Sequence, residues 1–243
     1  MRASDQGSLA TRVYRRLMAV GPEKLAKADQ PSTPVRLRDV IYYGYEKGAW
    51  QLLRGLLFRP RLRSSGRRFF LGRGTRVLFP SHLAVGTNVA IGDHVYMTCF
   101  GGTGVTLGDN VRIREFTSVQ VTSHLSHPGK GLEVGDGTYI GPHCVLGAGG
   151  GIVVGRDVTF GAYVQVLAEN HEFADPDRPV NEQGVARQGI RIGDGCWLGN
   201  SVIVLDGVEI GRNAVVGAGS VVTKSLPDGA IAVGNPARVL RTR

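Results

Sequence analysis

Three cysteines stand in 243 residues, and none forms a Cys-x-x-Cys pair. That excludes a disulfide framework and a four-cysteine zinc site, and it suits a reducing compartment. No apolar run reaches the ~18 residues of a membrane-spanning helix. The basic N-terminal stretch MRASDQGSLATRVYRRLMAVGPEKL lacks the apolar core of a secretory leader, so the expected compartment is the cytoplasm, with a peripheral position at the membrane's inner face as an extension. Glycine never recurs at every third position, which excludes a collagen-like helix.

What is present is apolar enough to bury a core: 42% hydrophobic and 20% charged residues. Glycine is in excess, at 36 residues. The net charge of +9 is unevenly placed. Residues 1–70 hold 15 Lys/Arg against 5 Asp/Glu, and residues 71–243 hold 14 against 15. The basic character therefore belongs to an N-terminal arm, and nucleic acid is not an expected partner, since no RNA-binding motif accompanies it. Within the arm, residues 38–58 and about 8–20 read as helices, and RPRLRSSGRR (59–68) carries five arginines. Such an arm fits contact with anionic lipid or a cap over the first layer of the domain.

The glycines have a period. From Val85 a hexapeptide recurs: VGTNVA, IGDHVY, LGDNVR, IREFTS, VGDGTY, IGPHCV, LGAGGG, VGRDVT, FGAYVQ, IGDGCW, LGNSVI, VLDGVE, IGRNAV, VGAGSV and VTKSLP. Position one is Val, Ile or Leu in 14 of these 15 units, with Phe160 the exception. Position two is Gly in 12, and position five is Val, Thr, Cys, Ala or Ser in 13. Neither a two-residue nor a 3.6-residue period fits this pattern. A parallel β-helix does. Each unit is a short strand plus a corner, three units close a coil, position one fills the interior, and position five admits only small or β-branched side chains. Glycine after the aliphatic is expected to support the bend. The register slips after residues 91, 113, 146 and 160. The longest interruption, at about 168–190, has two prolines and many charges, and loops on a rigid scaffold are where sites gather.

The pattern resembles the hexapeptide-repeat acyltransferases, in particular a bacterial branch that acetylates sugars. The resemblance covers about residues 71–240. It implies a mainly β chain, a left-handed parallel β-helix over 71–243 with an α-helical basic arm over 1–70, assembled as a homotrimer. It also implies acetyl-CoA as acyl donor, no metal, and a sugar hydroxyl as acceptor, in a surface polysaccharide or a lipid-linked glycan precursor. His171, in AENHEF, takes the place of the family's catalytic base, with Glu169 or Glu172 to orient it. An ordinary imidazole titrates near ~6.5, which suits that role. The Gly199–Asn200 segment of CWLGNSV resembles the stretch whose backbone N–H meets the thioester carbonyl. Asn170 is a candidate for an acceptor hydroxyl, and Trp197, at outward position six, for the cofactor or subunit groove. The ending VVGAGSVVTKSLPDGAIAVGNPARVLR resembles the stretch that flanks coenzyme A. By that resemblance Ala218 and Gly219 leave room for pantetheine, and Thr223, Lys224 and Arg238 meet phosphate.

Other functions stay open at this point. A serine or amine acceptor is one. A zinc enzyme like the γ-class carbonic anhydrases would need His124, His127 and His143, but His124 and His127 are spaced by three where that family shows five. A non-catalytic trimeric scaffold is the third. His127 also reads as lining an acceptor groove, Cys144 and Cys196 as interior packing, and Cys99 has no assigned role.

Overall fold

The structure, a computed structural model, describes residues 37–44, 48–122 and 125–243. The chain divides into two units, Met1–Leu53 and Arg54–Arg243. The helix read over 38–58 is two helices, α1 (Leu37–Gly44) and α2 (Trp50–Phe58). The one read near 8–20 lies outside the described residues. The C-terminal end of α2 is fixed within the second unit. Arg54 Nε donates to Leu71 O at 2.9 Å. Gly55 lies so close to Phe69 that an added Cβ would fall 1.8 Å from its carbonyl oxygen.

From Ser64 onward, short parallel strands stack into three sheets of seven, nine and seven strands. The first coil thus takes in residues that composition groups with the arm. This is the β-helix expected from the hexapeptides, of the left-handed class. Every position-one residue is buried, Phe160 included, and so is every position five. Four polar residues at position five offset their burial in one consistent way, while the Ser220 hydroxyl accepts the Gly234 N–H. Thr117 Oγ1 donates to Gly141 O, Thr138 Oγ1 to Gly155 O, Cys144 Sγ to Gly161 O and Cys196 Sγ to Gly211 O. Each acceptor is the position-two carbonyl of the next coil, so the interior leaves no buried side-chain N or O atom without a partner among the described residues.

The glycine at position two has a different cause from the one expected. The left-handed backbone of the corner falls at position four, as at Asn88, Asn110, Asp157 and Asn213, with φ between 54° and 62°. Position two is glycine because the next coil sits directly on it. A Cβ on Gly141 would lie 2.2 Å from Gly161 O, and one on Gly199 would lie 2.7 Å from Ala218 N.

Position three adds a ladder of side-chain caps. An Asp or Asn of one coil accepts the position-three N–H of the coil before. The pairs are Arg73 N–Asp93, Thr87 N–Asp109, Asp109 N–Asp136, Arg156 N–Asp194, Arg212 N–Asp228 and Ala162 N–Asn200, at 2.6–2.9 Å. The Arg156 N–H, then its side chain, hold the Asp194 carboxyl below its ordinary value; the Arg212 side chain, then its N–H, do the same at Asp228.

The insertions are confined to one corner. Third-sheet partners are Arg76, Tyr96, Ser118, Val145, Gln165, Ile203 and Val221, which gives coils of 20, 22, 27, 20, 38 and 18 residues. The steps from first to second sheet and from second to third stay at six residues, as in Arg191, Trp197 and Ile203. All extra residues therefore leave the coil between the third sheet and the first sheet of the next coil.

A depressed carboxyl stabilises the fold above its unfolded pKa, and that contribution is lost as pH falls through the lower folded value. Thermal melts from pH 7 to pH 3 are expected to show wild-type stability declining from about pH 4 downward. Asp194→Asn keeps an acceptor oxygen, as Asn200 does, but does not titrate, so its acid decline should be shallower. Equal slopes would remove Asp194 from the acid response.

Candidate active site

The long insertion starts from the strand Gln165–Leu167 and returns at Ile190–Ile192. Its base is a two-stranded antiparallel hairpin in which Asn170 faces Ala186 and His171 faces Val185. Six hydrogen bonds pin it. Arg187 Nε bonds Glu169 Oε2 at 2.5 Å, with both side chains largely covered. Arg187 Nη1 reaches the carbonyls of His127 and Pro128 at 3.4 Å, and Lys130 Nζ donates to Arg187 O at 3.1 Å. Asp206 accepts the N–H groups of Gln188 and Gly189 at 2.9 and 2.7 Å. The insertion is thus tied to the neighbouring insertion and to the coil at its exit. Gln120, Gly147, Gly149, Leu167, Glu169 and Arg187 line a cleft of about 190 Å³ on this edge.

His171 and Asn170 are exposed on that hairpin. Glu169 is committed to Arg187. His127, the proposed groove residue, meets Ser126 Oγ through Nδ1 at 2.9 Å; His124 lies outside the described residues. His143 stacks between Phe116 and Tyr163. Among the described residues no group of three His, Cys, Asp or Glu side chains could hold a metal ion.

The other predicted residues lie elsewhere. Trp197 is 55% exposed on the outer face of the second sheet, between Thr159 and Val215. Gly199, Asn200, Ala218 and Gly219 form the corner between second and third sheets. Thr223 and Lys224 follow the third-sheet strand Val221–Val222, and Arg238 opens the final antiparallel strand; all three are exposed. One chain therefore does not gather these residues in one place. His171 belongs to the corner of insertions, and Asn200 to the next corner around the coil.

At Asn200 the cap ladder is interrupted, as it also is at Asp136 and Asp194, whose caps would come from Arg156 and Arg212. Within the Gly199–Asn200 segment, the Gly199 N–H is taken by Val216 O at 2.8 Å. The Asn200 side chain is also in use, on the Ala162 N–H. The Asn200 N–H is different. In the register of the ladder its cap would come from residue 218, which is alanine. No acceptor among the described residues takes it.

The thiols are inert. All three cysteines are buried, and burial pushes Cys99 up to about 12 and Cys144 up to about 11, with Cys196 raised for the same reason. Two features were missed in the sequence. Arg187 lies in a segment with no repeat register, so nothing flagged its partners. The aromatic residues at position four, His94, Phe116, His143 and Tyr163, were visible in the alignment of units, but that column was not read for stacking.

Fold and repeats together define a class. The family description "bacterial transferase hexapeptide (six repeats)" matches residues 189–224. The chain is 36% identical over 140 residues to the putative colanic acid biosynthesis acetyltransferase WcaF of Escherichia coli, covering 58% of this chain and 70% of that protein. It is 31% identical over 194 residues to a probable acetyltransferase of Mycobacterium tuberculosis, covering 80% of this chain and 56% of that one. It is 37% identical over 130 residues to a galactoside O-acetyltransferase of Lactococcus lactis, covering 53% and 61%. The chain thus spans less than two thirds of the length of the latter two. The structure of AntD, an N-acyltransferase from Bacillus cereus in complex with dTDP and 3-hydroxybutyryl-CoA, shares the fold, with TM-score 0.52, 19% identity, and coverage of 78% of this chain and 88% of that one. This chain belongs to the hexapeptide-repeat acyltransferase family.

Removing the Arg187 guanidinium should loosen the His171 hairpin without disturbing the coils. In Arg187→Ala, amide hydrogen exchange at Asn170–His171 and Val185–Ala186 is expected to quicken about tenfold, as befits the loss of charge-assisted bonds. Exchange in the strands Gln165–Leu167 and Ile203–Leu205 should stay unchanged. Unchanged exchange in the hairpin would show that Arg187 does not hold it.

Proposed function

We propose that the protein is an acetyl-CoA-dependent O-acetyltransferase that modifies a sugar hydroxyl by direct transfer. The observation that carries the reading is the uncapped Asn200 N–H, in the segment of the repeat that resembles the family's thioester contact. A backbone N–H with no acceptor among the described residues is a donor that can bond the negative charge of a tetrahedral intermediate.

In this reading His171 takes the proton of the acceptor hydroxyl as its oxygen attacks the thioester carbonyl carbon. The Asn200 N–H bonds the resulting oxyanion. The tetrahedral intermediate then collapses: the C–S bond breaks, the acetyl ester remains on the acceptor, and coenzyme A leaves as thiolate to receive the proton from His171. Buried, high-pKa cysteines argue against an acyl-enzyme. Ala218 and Gly219 give pantetheine room along the corner, Thr223, Lys224 and Arg238 offer donors to phosphate, and Trp197 and Asn170 contact the bound substrates. His171 and Asn200 sit at different corners of one chain, which fits an active site shared between adjacent subunits of a homotrimer. The names of WcaF and the galactoside O-acetyltransferase support a sugar acceptor in a surface polysaccharide or its precursor.

Calorimetric titration with acetyl-CoA tests this directly. Saturable binding near one per subunit is expected, weakened about tenfold in Lys224→Ala. His171→Ala should keep that affinity while transfer to sugar falls by roughly 10²–10⁴. No binding at millimolar acetyl-CoA would overturn the proposal.

The arm adds a place of work. No helix among the described residues is long and apolar enough to cross a membrane. Leu56 and Leu57 are 56% and 72% exposed, next to Arg59 and Arg61. Apolar and cationic groups side by side suit an anionic lipid surface. Cosedimentation with vesicles containing phosphatidylglycerol is expected for the full chain and should be lost in Leu56→Glu/Leu57→Glu. Equal sedimentation of both would exclude this contact.

A further inference from the structure

Position four at the corner between second and third sheets reads Gly74, His94, Phe116, His143, Tyr163, Ser201 and Gly219 in successive coils. All seven have φ between 54° and 71°. That backbone favours glycine and asparagine; for a bulky side chain it is an outlier, with a cost of about 1–3 kcal/mol. Yet four consecutive rungs carry rings. They stack in one column: His94 on Phe116 at 5.3 Å and 8°, Phe116 on His143 at 5.0 Å and 9°, and His143 on Tyr163 at 4.8 Å and 11°. The spacing is that of the coils, so the column runs along the β-helix and its inner rings are covered on both faces.

The two ends differ. The outer face of His94 is closed by backbone, since a Cβ on Gly74 would lie 2.5 Å from His94 Nδ1. Tyr163 is 55% exposed, and its outer face turns toward the rung of Ser201, which carries no ring. The rung beyond is Gly219, with nothing within 4 Å of an added Cβ. Asn200, whose N–H is uncapped, is the residue before Ser201. The column therefore ends one coil spacing short of that donor, beside a polar hydroxyl.

We propose that the outer face of Tyr163 is the acceptor subsite: a pyranose ring lies on it as the next rung. The negative ring face attracts the electropositive C–H face of a sugar. Ser201 lies at the rim for a sugar hydroxyl, and another hydroxyl points to the thioester carbonyl carbon, whose oxygen accepts the Asn200 N–H. The inference rests on the transferase reading given above and adds the residue that selects the acceptor.

The probes are the methyl pyranosides of glucose, galactose, mannose and N-acetylglucosamine, with acetyl-CoA as donor. Tyr163→Ser is expected to raise the acceptor KM about tenfold, the equivalent of one lost stacking contact, and to leave the acetyl-CoA KM unchanged. Tyr163→Phe should stay near wild type. His94→Ser also removes one end ring and one stacking contact, so it matches the structural loss; its acceptor KM should not change. An unchanged KM in Tyr163→Ser, or an equal rise in His94→Ser, would overturn the subsite. So would acetylation or competition that follows free nucleotides rather than pyranosides. Saturation-transfer NMR with the same pyranosides and coenzyme A reads binding without turnover, and no transfer to any of them in a protein that binds acetyl-CoA would also overturn it. Failure to bind acetyl-CoA would instead strike the transferase reading itself.

Discussion

The spacing between stacked coils governs this molecule. Hydrogen bonding between parallel strands sets it at ~4.8 Å, and no insertion between the first and third sheets is allowed to change it. Every column of the hexapeptide answers to that distance. Position one fills the narrow interior, position two mostly lacks a Cβ where the next coil rests, and position five is mostly small or hands its polar atom to the coil above. Position three can reach one coil back to cap an N–H. Because the same neighbour relation repeats, a residue's duty is fixed by its column more than by its place in the chain.

A structure this regular confines variation. Two corners are always turned within one hexapeptide, so only the third can release loops, and it releases all of them. The His171 hairpin is built there, yet its stiffness comes from outside the repeat. Arg187 ties it to Glu169 and to the carbonyls of His127 and Pro128, and Asp206 holds its exit. The scaffold provides the place, and charged side chains with partners far away in sequence provide the rigidity.

What could be read in the sequence follows from this. The interior columns were legible because burial at positions one and five repeats with a fixed period, and even the exception, Phe160, is fully buried. The glycine column was legible as a pattern but not in its cause. A bend and a close approach both call for glycine, and only the φ angles separate them. The residues of the long insertion were placed in it correctly, but their partners were not legible. Arg187 meets Glu169 across 18 residues and His127 across 60, with no period to link them. The resemblance pointed to the Gly199–Asn200 segment but not to which of its N–H groups is open; the coil spacing commits that of Gly199 to Val216.

The corner that carries Asn200 is also where an uncapped N–H and the end of the ring column meet. In position three Asn200 caps Ala162 but Ala218 offers no cap to Asn200, and in position four the rings give way to Ser201 and Gly219. Each change alone is only a missing side chain. Both fall on the last coils, however, and on the same edge. An aspartate at 218 would satisfy the Asn200 N–H and crowd the corner, and a ring at 201 would cover Tyr163 as Tyr163 covers His143. Stability alone argues for a cap at 218 and a ring at 201, since each cap and each stacked pair contributes on the order of a kcal/mol. Their joint interruption leaves one donor and one ring face uncovered at adjacent rungs. It is this coincidence, more than either gap, that favours reading the corner as a place where a donor ester and an acceptor ring meet.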